Sequence, residues 1–142
     1  MTKTITDVID FATNQVAEEI NIVPQERVVA GVASDVHTKI TMKTNNHYTD
    51  PTEQFFAGIW QSSVGAKSVN YTEEEICVIL EGRVRLTDLN GNAKEFGAGC
   101  TFVLPAGFKG TWETLEPVKK IYVIWQAKYF SSQHNQLYLI TN

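Results

Sequence analysis

The chain has 142 residues, 43% of them apolar and 20% charged, with a formal net charge of −4. That length fits one domain able to bury about two-thirds of its unfolded surface without disulfides, and the composition argues against disorder and membrane embedding. No Lys/Arg cluster exceeds the pair Lys119–Lys120, which argues against binding a phosphate backbone.

Ile5, Val8, Ile9, Ala12, Val16 and Ile20 recur at three- and four-residue spacing, which predicts an amphipathic helix. Thr4 and Asp7 resemble a capping box, and Ile22-Val23-Pro24 stops the helix, because proline biases its predecessor away from helical angles. Residues 1–24 are therefore expected to be a helix and cover segment, and residues 25–142 a single barrel domain. With one lysine and no continuous apolar core, the first twenty residues do not read as a secretory signal. No run approaches the ~18 apolar residues of a membrane span, so a cytoplasmic protein is expected.

Arg27–Val32 and Thr38–Met42 read as short strands, and Asn45, Asn46, Asp50 and Pro51 as a loop. Phe55–Trp60, Ala66–Tyr71, Glu75–Glu81, Val84–Asp88, Lys94–Phe96, Thr101–Leu104 and Lys119–Gln126 are further strand candidates, separated by Gly, Pro or Asn. Leu89-Asn90-Gly91 predicts a hairpin with a type I′ turn, and Leu104-Pro105-Ala106-Gly107 a type I turn. Short strands with turns every 8–12 residues indicate an antiparallel sandwich or barrel. Both faces of Ile76–Leu80 are apolar, so one face is expected to line the interior and the other to be covered by a sheet, the helix or another subunit. Gln136–Thr141 reads as a last strand suited to a neighbouring chain's edge, and a homodimer is expected. Cys77 and Cys100 lie in apolar runs and read as buried thiols; neither has zinc spacing.

Two blocks carry a family resemblance. Glu75-x6-Gly82 and Gly99-x5-Pro105-x-Gly107 resemble the two signature blocks of the cupin superfamily, RmlC-like double-stranded β-helices. Gly58–Trp60, Tyr71–Asp88, Gly99–Glu113 and Lys120–Ile124 are similar to the single-domain cupins grouped with ureidoglycine aminohydrolase. The resemblance implies an all-β jelly-roll barrel. Where metal-binding cupins carry histidines, this chain has Val69, Tyr71 and Gly110, so of the usual ligands only Glu75 remains. One carboxylate does not hold a transition metal, and no metal or other cofactor is expected. A replacement site built from Glu73, Glu75 and His37 or His47 is the alternative.

Extended backbone over residues 71–77 would turn Tyr71, Glu73, Glu75 and Cys77 to one side, which by resemblance faces the barrel interior; the alternative is that Glu73 and Glu74 form a solvated strand end and only Glu75 points inward. Carboxylates and a phenol in an apolar cup are material for a general acid or base. A buried carboxylate needs a partner, and Lys120 is the expected one for Glu75. Tyr71, Glu73, Glu75 and Lys120 are therefore the catalytic candidates, with Trp60, Cys77, Phe108, Trp112 and Tyr122 lining a ligand pocket. The leading expectation is a metal-independent cupin that binds a small polar metabolite, with isomerase- or epimerase-like acid–base chemistry. A metal-dependent aminohydrolase- or dioxygenase-like enzyme, or a non-catalytic sensor, remains open.

Overall fold

The computed structural model describes residues 1–26, 39–131 and 136–139. Among these residues ten strands follow one another: β1 Glu18–Pro24, β2 Lys39–Thr49, β3 Phe55–Ser62, β4 Gly65–Asn70, β5 Glu74–Asp88, β6 Ala93–Gly97, β7 Thr101–Leu104, β8 Lys109–Trp125, β9 Lys128–Ser131 and β10 Gln136–Leu139.

The long strands β5 and β8 form the spine. They pair antiparallel from Glu74 opposite Trp125 to Asp88 opposite Gly110. Toward one end they take β7 and β3 as outer neighbours, and toward the other end β6 and β4. The same two strands therefore serve both halves of a jelly-roll barrel, and β2 and β1 extend it beyond β3. The change of neighbours falls at a bend where the β5–β8 register slips between Ile79 and Val84. Gly82 sits in that bend with φ +86°, and a Cβ there would lie 2.1 Å from the Pro117 carbonyl oxygen. Only glycine fits such an angle at such an approach, which explains the Glu81-Gly82 step in the middle of the strand.

Inside the barrel Cys77, Ile79, Val84, Leu86, Phe102, Leu104, Trp112 and Val118 form one buried cluster, with Phe96 stacked on Phe102 at 4.0 Å. Alternation places Glu75, Cys77 and Ile79 inward and leaves Ile76 and Leu80 outward, 42% and 41% exposed. The outer apolar face of β5 is thus uncovered by other described residues.

Several expectations are corrected. The stretch read as an N-terminal helix is a single 3-10 turn at Ile5–Asp7, and its last residues form strand β1. Ile5, Val8, Val16, Ile20, Ile22 and Val23 are β-branched, and Glu18–Pro24 finds a complete backbone ladder on β2, so tertiary pairing overrides helical spacing. The Thr4–Asp7 contact is real but caps only that turn, the Thr4 amide donating to Asp7 Oδ2 at 2.7 Å. Asn45 and Asn46 lie inside β2, and the loop begins at Asp50, whose Oδ1 accepts the Gln54 and Phe55 amides. Glu75–Glu81 and Val84–Asp88 are one strand, and β8 starts ten residues before the expected Lys119.

The hairpin at Leu89–Gly91 exists, but positive φ is confined to Gly91, which excludes type I′. At the second turn Phe108 N donates to Pro105 O across Gly107 at φ +99°, a type II turn one residue later than expected. Cys100 is exposed, and only Cys77 is buried. The terminal strand β10 pairs with β9 of the same chain. Residues 27–38, read in part as a strand, together with His37 and His134, lie outside the described residues.

Candidate functional site

One end of the barrel is an open cup of about 560 Å³, lined among others by Trp60, Lys67, Tyr71, Glu73, Glu75, Trp112, Lys120 and Tyr122. Its floor is built by strand register. Lys120 on β8 stands opposite Trp60 on β3 and Ile79 on β5, and Tyr122 stands opposite Cys77. Directly opposed residues share a face, so Lys120 reaches diagonally past Cys77 to Glu75. Lys120 Nζ donates to Glu75 Oε2 at 3.0 Å, and the Cys77 thiol donates to the same oxygen at 3.0 Å. The two charged side chains are only 6% and 7% exposed.

Two indoles wall the ammonium. Its nitrogen lies 4.9 Å from the Trp60 ring centroid and 4.4 Å from that of Trp112, and the rings meet edge-to-face at 5.4 Å. Such aromatic faces attract a cation, most strongly where water is excluded. The Trp112 indole N–H is anchored by Thr114 Oγ1, which donates to Ser62 Oγ in turn.

Tyr122, Gly58 and Asn46 form a row across β8, β3 and β2. The Tyr122 hydroxyl donates to Asn46 Oδ1 at 2.7 Å. It passes over Gly58, where a Cβ would lie 2.5 Å from the phenol oxygen. The glycine of the Gly58–Trp60 motif is therefore what lets the phenol cross the strand.

The electrostatics separate these groups. Burial pulls the Lys120 ammonium down, but the Glu75 carboxylate, with Cys77 and Tyr71, outweighs it and holds Lys120 above the ordinary lysine range. Burial pushes the Cys77 thiol up to about 12 and the Tyr122 phenol up to about 12, and raises Tyr71 likewise. Near neutral pH Lys120 is a fixed cation, both phenols are neutral, and Cys77 is an unreactive thiol. Lys67 moves the other way: burial and the neighbouring Lys120 charge lower it.

Of the residues expected to form the site, Tyr71, Glu73, Glu75, Lys120, Trp60, Trp112 and Tyr122 line the cup. Cys77 lies beneath its floor, fully buried. Phe108 is not in the cup; it lines a separate cavity with Leu86, Phe96 and Phe102 and packs toward Tyr71 at 6.4 Å between ring centroids. Lys67, Asn46 and Thr44 line the cup and were missed. Alternation backward from Tyr71 through Val69 would have pointed to Lys67, whereas Asn46 was hidden by its loop-like composition.

Among the described residues, the donors lining the cup do not fit a transition-metal ion. Val69 has no donor, the Tyr71 phenol is held neutral, and Glu75 Oε2 is engaged by Lys120 and Cys77. At Gly110 a Cβ would lie 2.0 Å from the Thr87 carbonyl oxygen, so no side chain fits there. Among the described residues no group of three His, Cys, Asp or Glu is gathered to hold a metal. His47 is engaged elsewhere, stacked on Phe11 at 4.5 Å with Nδ1 2.9 Å from Asn14 Oδ1.

A jelly-roll barrel with one open, polar-lined end and the two signature blocks on β5 and the β7–β8 turn defines a cupin. More narrowly, the chain belongs to the EutQ-like cupin domain family, whose model matches residues 49–122. It is similar to the EutQ protein of Clostridium difficile at 16% identity, with 61% of this chain and 68% of that one covered and a TM-score of 0.55. The structure assigned to ethanolamine utilization protein Q of Salmonella typhimurium gives 18% identity, coverage of 78% and 97%, and a TM-score of 0.56. The Cnp3 cupin domain of Schizosaccharomyces pombe gives 18% identity, coverage of 76% and 86%, and a TM-score of 0.52. At these identities the likeness shows the fold. No curated protein matches the chain.

Proposed function

We propose that the protein binds a small polar metabolite in the cup, without a metal, and moves a proton on it in an isomerase- or epimerase-like reaction. The observation that carries this reading is the buried Glu75–Lys120 pair, walled by Trp60 and Trp112, at the floor of an open cavity. Its volume of about 560 Å³ lies within the range typical of small-ligand sites. A sensor whose barrel is a packed core has no need of such a cup, and carboxylates sunk in it would only destabilise the fold.

The roles follow from the charges. Lys120 stays protonated and offers a fixed positive field to negative charge developing on a substrate oxygen. Tyr71 offers a hydrogen bond as a neutral phenol, whereas the Tyr122 O–H is held by Asn46 and its oxygen remains as an acceptor. Glu73, buried at the cup wall, and Glu75 are the carboxylates able to accept and return a proton. Trp60 and Trp112 supply apolar surface for the ring or chain of a sugar- or amino-acid-like compound.

The protein acts in the cytoplasm in this reading, takes neither nucleic acid nor membrane as partner, and pairs with a second copy through the outer face of β5. The test is a panel of small sugars, polyols and amino acids against chelator-treated protein, read by melting temperature and tryptophan fluorescence. A saturable shift that Glu73→Gln leaves intact while abolishing turnover supports the reading. A panel with no shift for any polar compound, alongside tight metal retention, contradicts it.

A further inference from the structure

Lys67 is the cup residue that the acid–base reading leaves unused, and its surroundings set it apart from Lys120. It extends from β4, where it stands opposite Trp112 on β8, and its Nζ lies 5.7 Å from the Trp60 ring centroid. The amine therefore shares the indole wall with Lys120 and faces the same cavity. Among the described residues no carboxylate lies within ion-pairing distance of it. The charged groups that act on it are Lys120 from β8, Glu75 from β5 and Glu26 beyond β1. Glu75 is already bound to Lys120, and Glu26 accepts the Ser68 amide at 3.2 Å.

We propose that Lys67 is a carbonyl-capturing amine, forming an imine with a small aldehyde or ketone held in the cup. This rests on the reading of the cup as a metabolite site and names the functional group of its occupant. A primary amine needs a free lone pair, an apolar surround and room for a carbonyl carbon at its nitrogen. Lys67 has each. Burial and the Lys120 cation lower Lys67 against the opposing pull of Glu75 and Glu26, whereas Glu75 keeps Lys120 charged. Two like groups driven apart in one pocket take different roles, nucleophile for the first and fixed charge for the second.

The step balances without a redox partner. The Lys67 nitrogen lone pair forms a C–N bond to the carbonyl carbon, and the carbonyl oxygen takes up the proton. Loss of water then leaves the C=N bond, with both amine hydrogens ending on the departing water. The Tyr71 phenol and the Lys120 ammonium are the donors lining the cup for the oxygen as it leaves.

The test uses wild-type protein with glyceraldehyde or pyruvate at pH 7, sodium cyanoborohydride as the hydride donor to trap C=N as a secondary amine, and peptide mapping by mass spectrometry. Tryptophan fluorescence with the same compounds reads occupancy of the cup independently. The proposal expects the adduct at Lys67 to form at least about tenfold faster than at the chain's other lysines, since a carbonyl held in the cup meets this amine at high effective concentration. Lys67→Met loses that adduct, whereas Lys94→Met, on β6 outside the cup, keeps it. Adducts spread evenly over surface lysines, with the fluorescence response intact, overturn the imine and leave the metabolite site standing. No fluorescence response and no Lys67 adduct overturn both.

Discussion

Replacing Glu75 with glutamine removes the charge on which Lys120 depends while keeping the side chain's shape. Both partners are nearly sealed from water, 6% and 7% exposed, so solvent screening does not soften the loss. Stranding one partner of a buried pair costs about 3–5 kcal/mol. Glutamine still offers an oxygen to one of the two donors, Lys120 and Cys77, which places the expected loss near the lower end, about 3 kcal/mol. For 142 residues the unfolding entropy is about 0.3 kcal/mol/K, so the melting temperature should fall by about 10 °C. The pH dependence should also change sign. With Glu75 gone, burial dominates and Lys120 falls below its ordinary 10.5, so Glu75→Gln should gain stability as pH rises toward about 10. Urea unfolding at fixed protein concentration, at pH 7 and pH 10, measures both effects. The double variant Glu75→Leu/Lys120→Met should recover most of the loss, because paired removal leaves no stranded charge. A single variant within about 1 kcal/mol of wild type at both pH values would refute the reasoning.

Wild-type stability should fall with rising pH between about 9 and 12. Cys77 and Tyr122 are raised from 9.0 and 10.0 to about 12, so their contributions are complete below the unfolded values and lost above them; Lys120 and Tyr71 act in the same direction. Thermal melts across that window, with phenolate absorbance as the parallel readout, check this, and a flat profile contradicts it. At pH 8 a thiol reagent should label exposed Cys100 and spare Cys77 until the protein is unfolded; equal labelling of the folded protein would show the cup floor to be open. Gly58→Ala should displace the Tyr122 phenol and cost about 1–3 kcal/mol by overpacking, read by urea unfolding, whereas Gly91→Ala, with open space around it, should show only backbone strain. Val103, 58% exposed, lies beside Ile76 on the outer face, so Val103→Glu should shift sedimentation toward monomer if a second copy covers that face. A wild-type monomer at micromolar concentration would remove that expectation.

The strand pattern was legible wherever glycine, proline or asparagine punctuated alternating residues, as from Gly65 to Leu104. It was misleading where two physical signals competed. Ile5 to Ile20 has helical spacing, yet its β-branched residues and the free edge of β2 make its end a strand. Asn45 and Asn46 resemble loop residues, but Asn46 is in β2 because its side-chain oxygen accepts from Tyr122, a contact across three strands that local composition does not encode. The Glu75–Lys120 pair could be read in advance because a buried carboxylate demands a partner and the strand face leaves few choices. Lys67 escaped notice because a lone lysine in a strand is ordinarily solvated, and only closure of the barrel shows that it faces the indoles.

The central claim is that the cup works with its own side chains, and metal content tests it most directly. Protein purified without chelator or added metal should carry less than about a tenth of an equivalent of Mn, Fe, Ni or Zn, the level of adventitious binding. Its ligand response should survive chelation unchanged. About one equivalent per chain, lost together with ligand binding in Glu75→Gln, would contradict the account and place Glu75 on a metal instead of on Lys120.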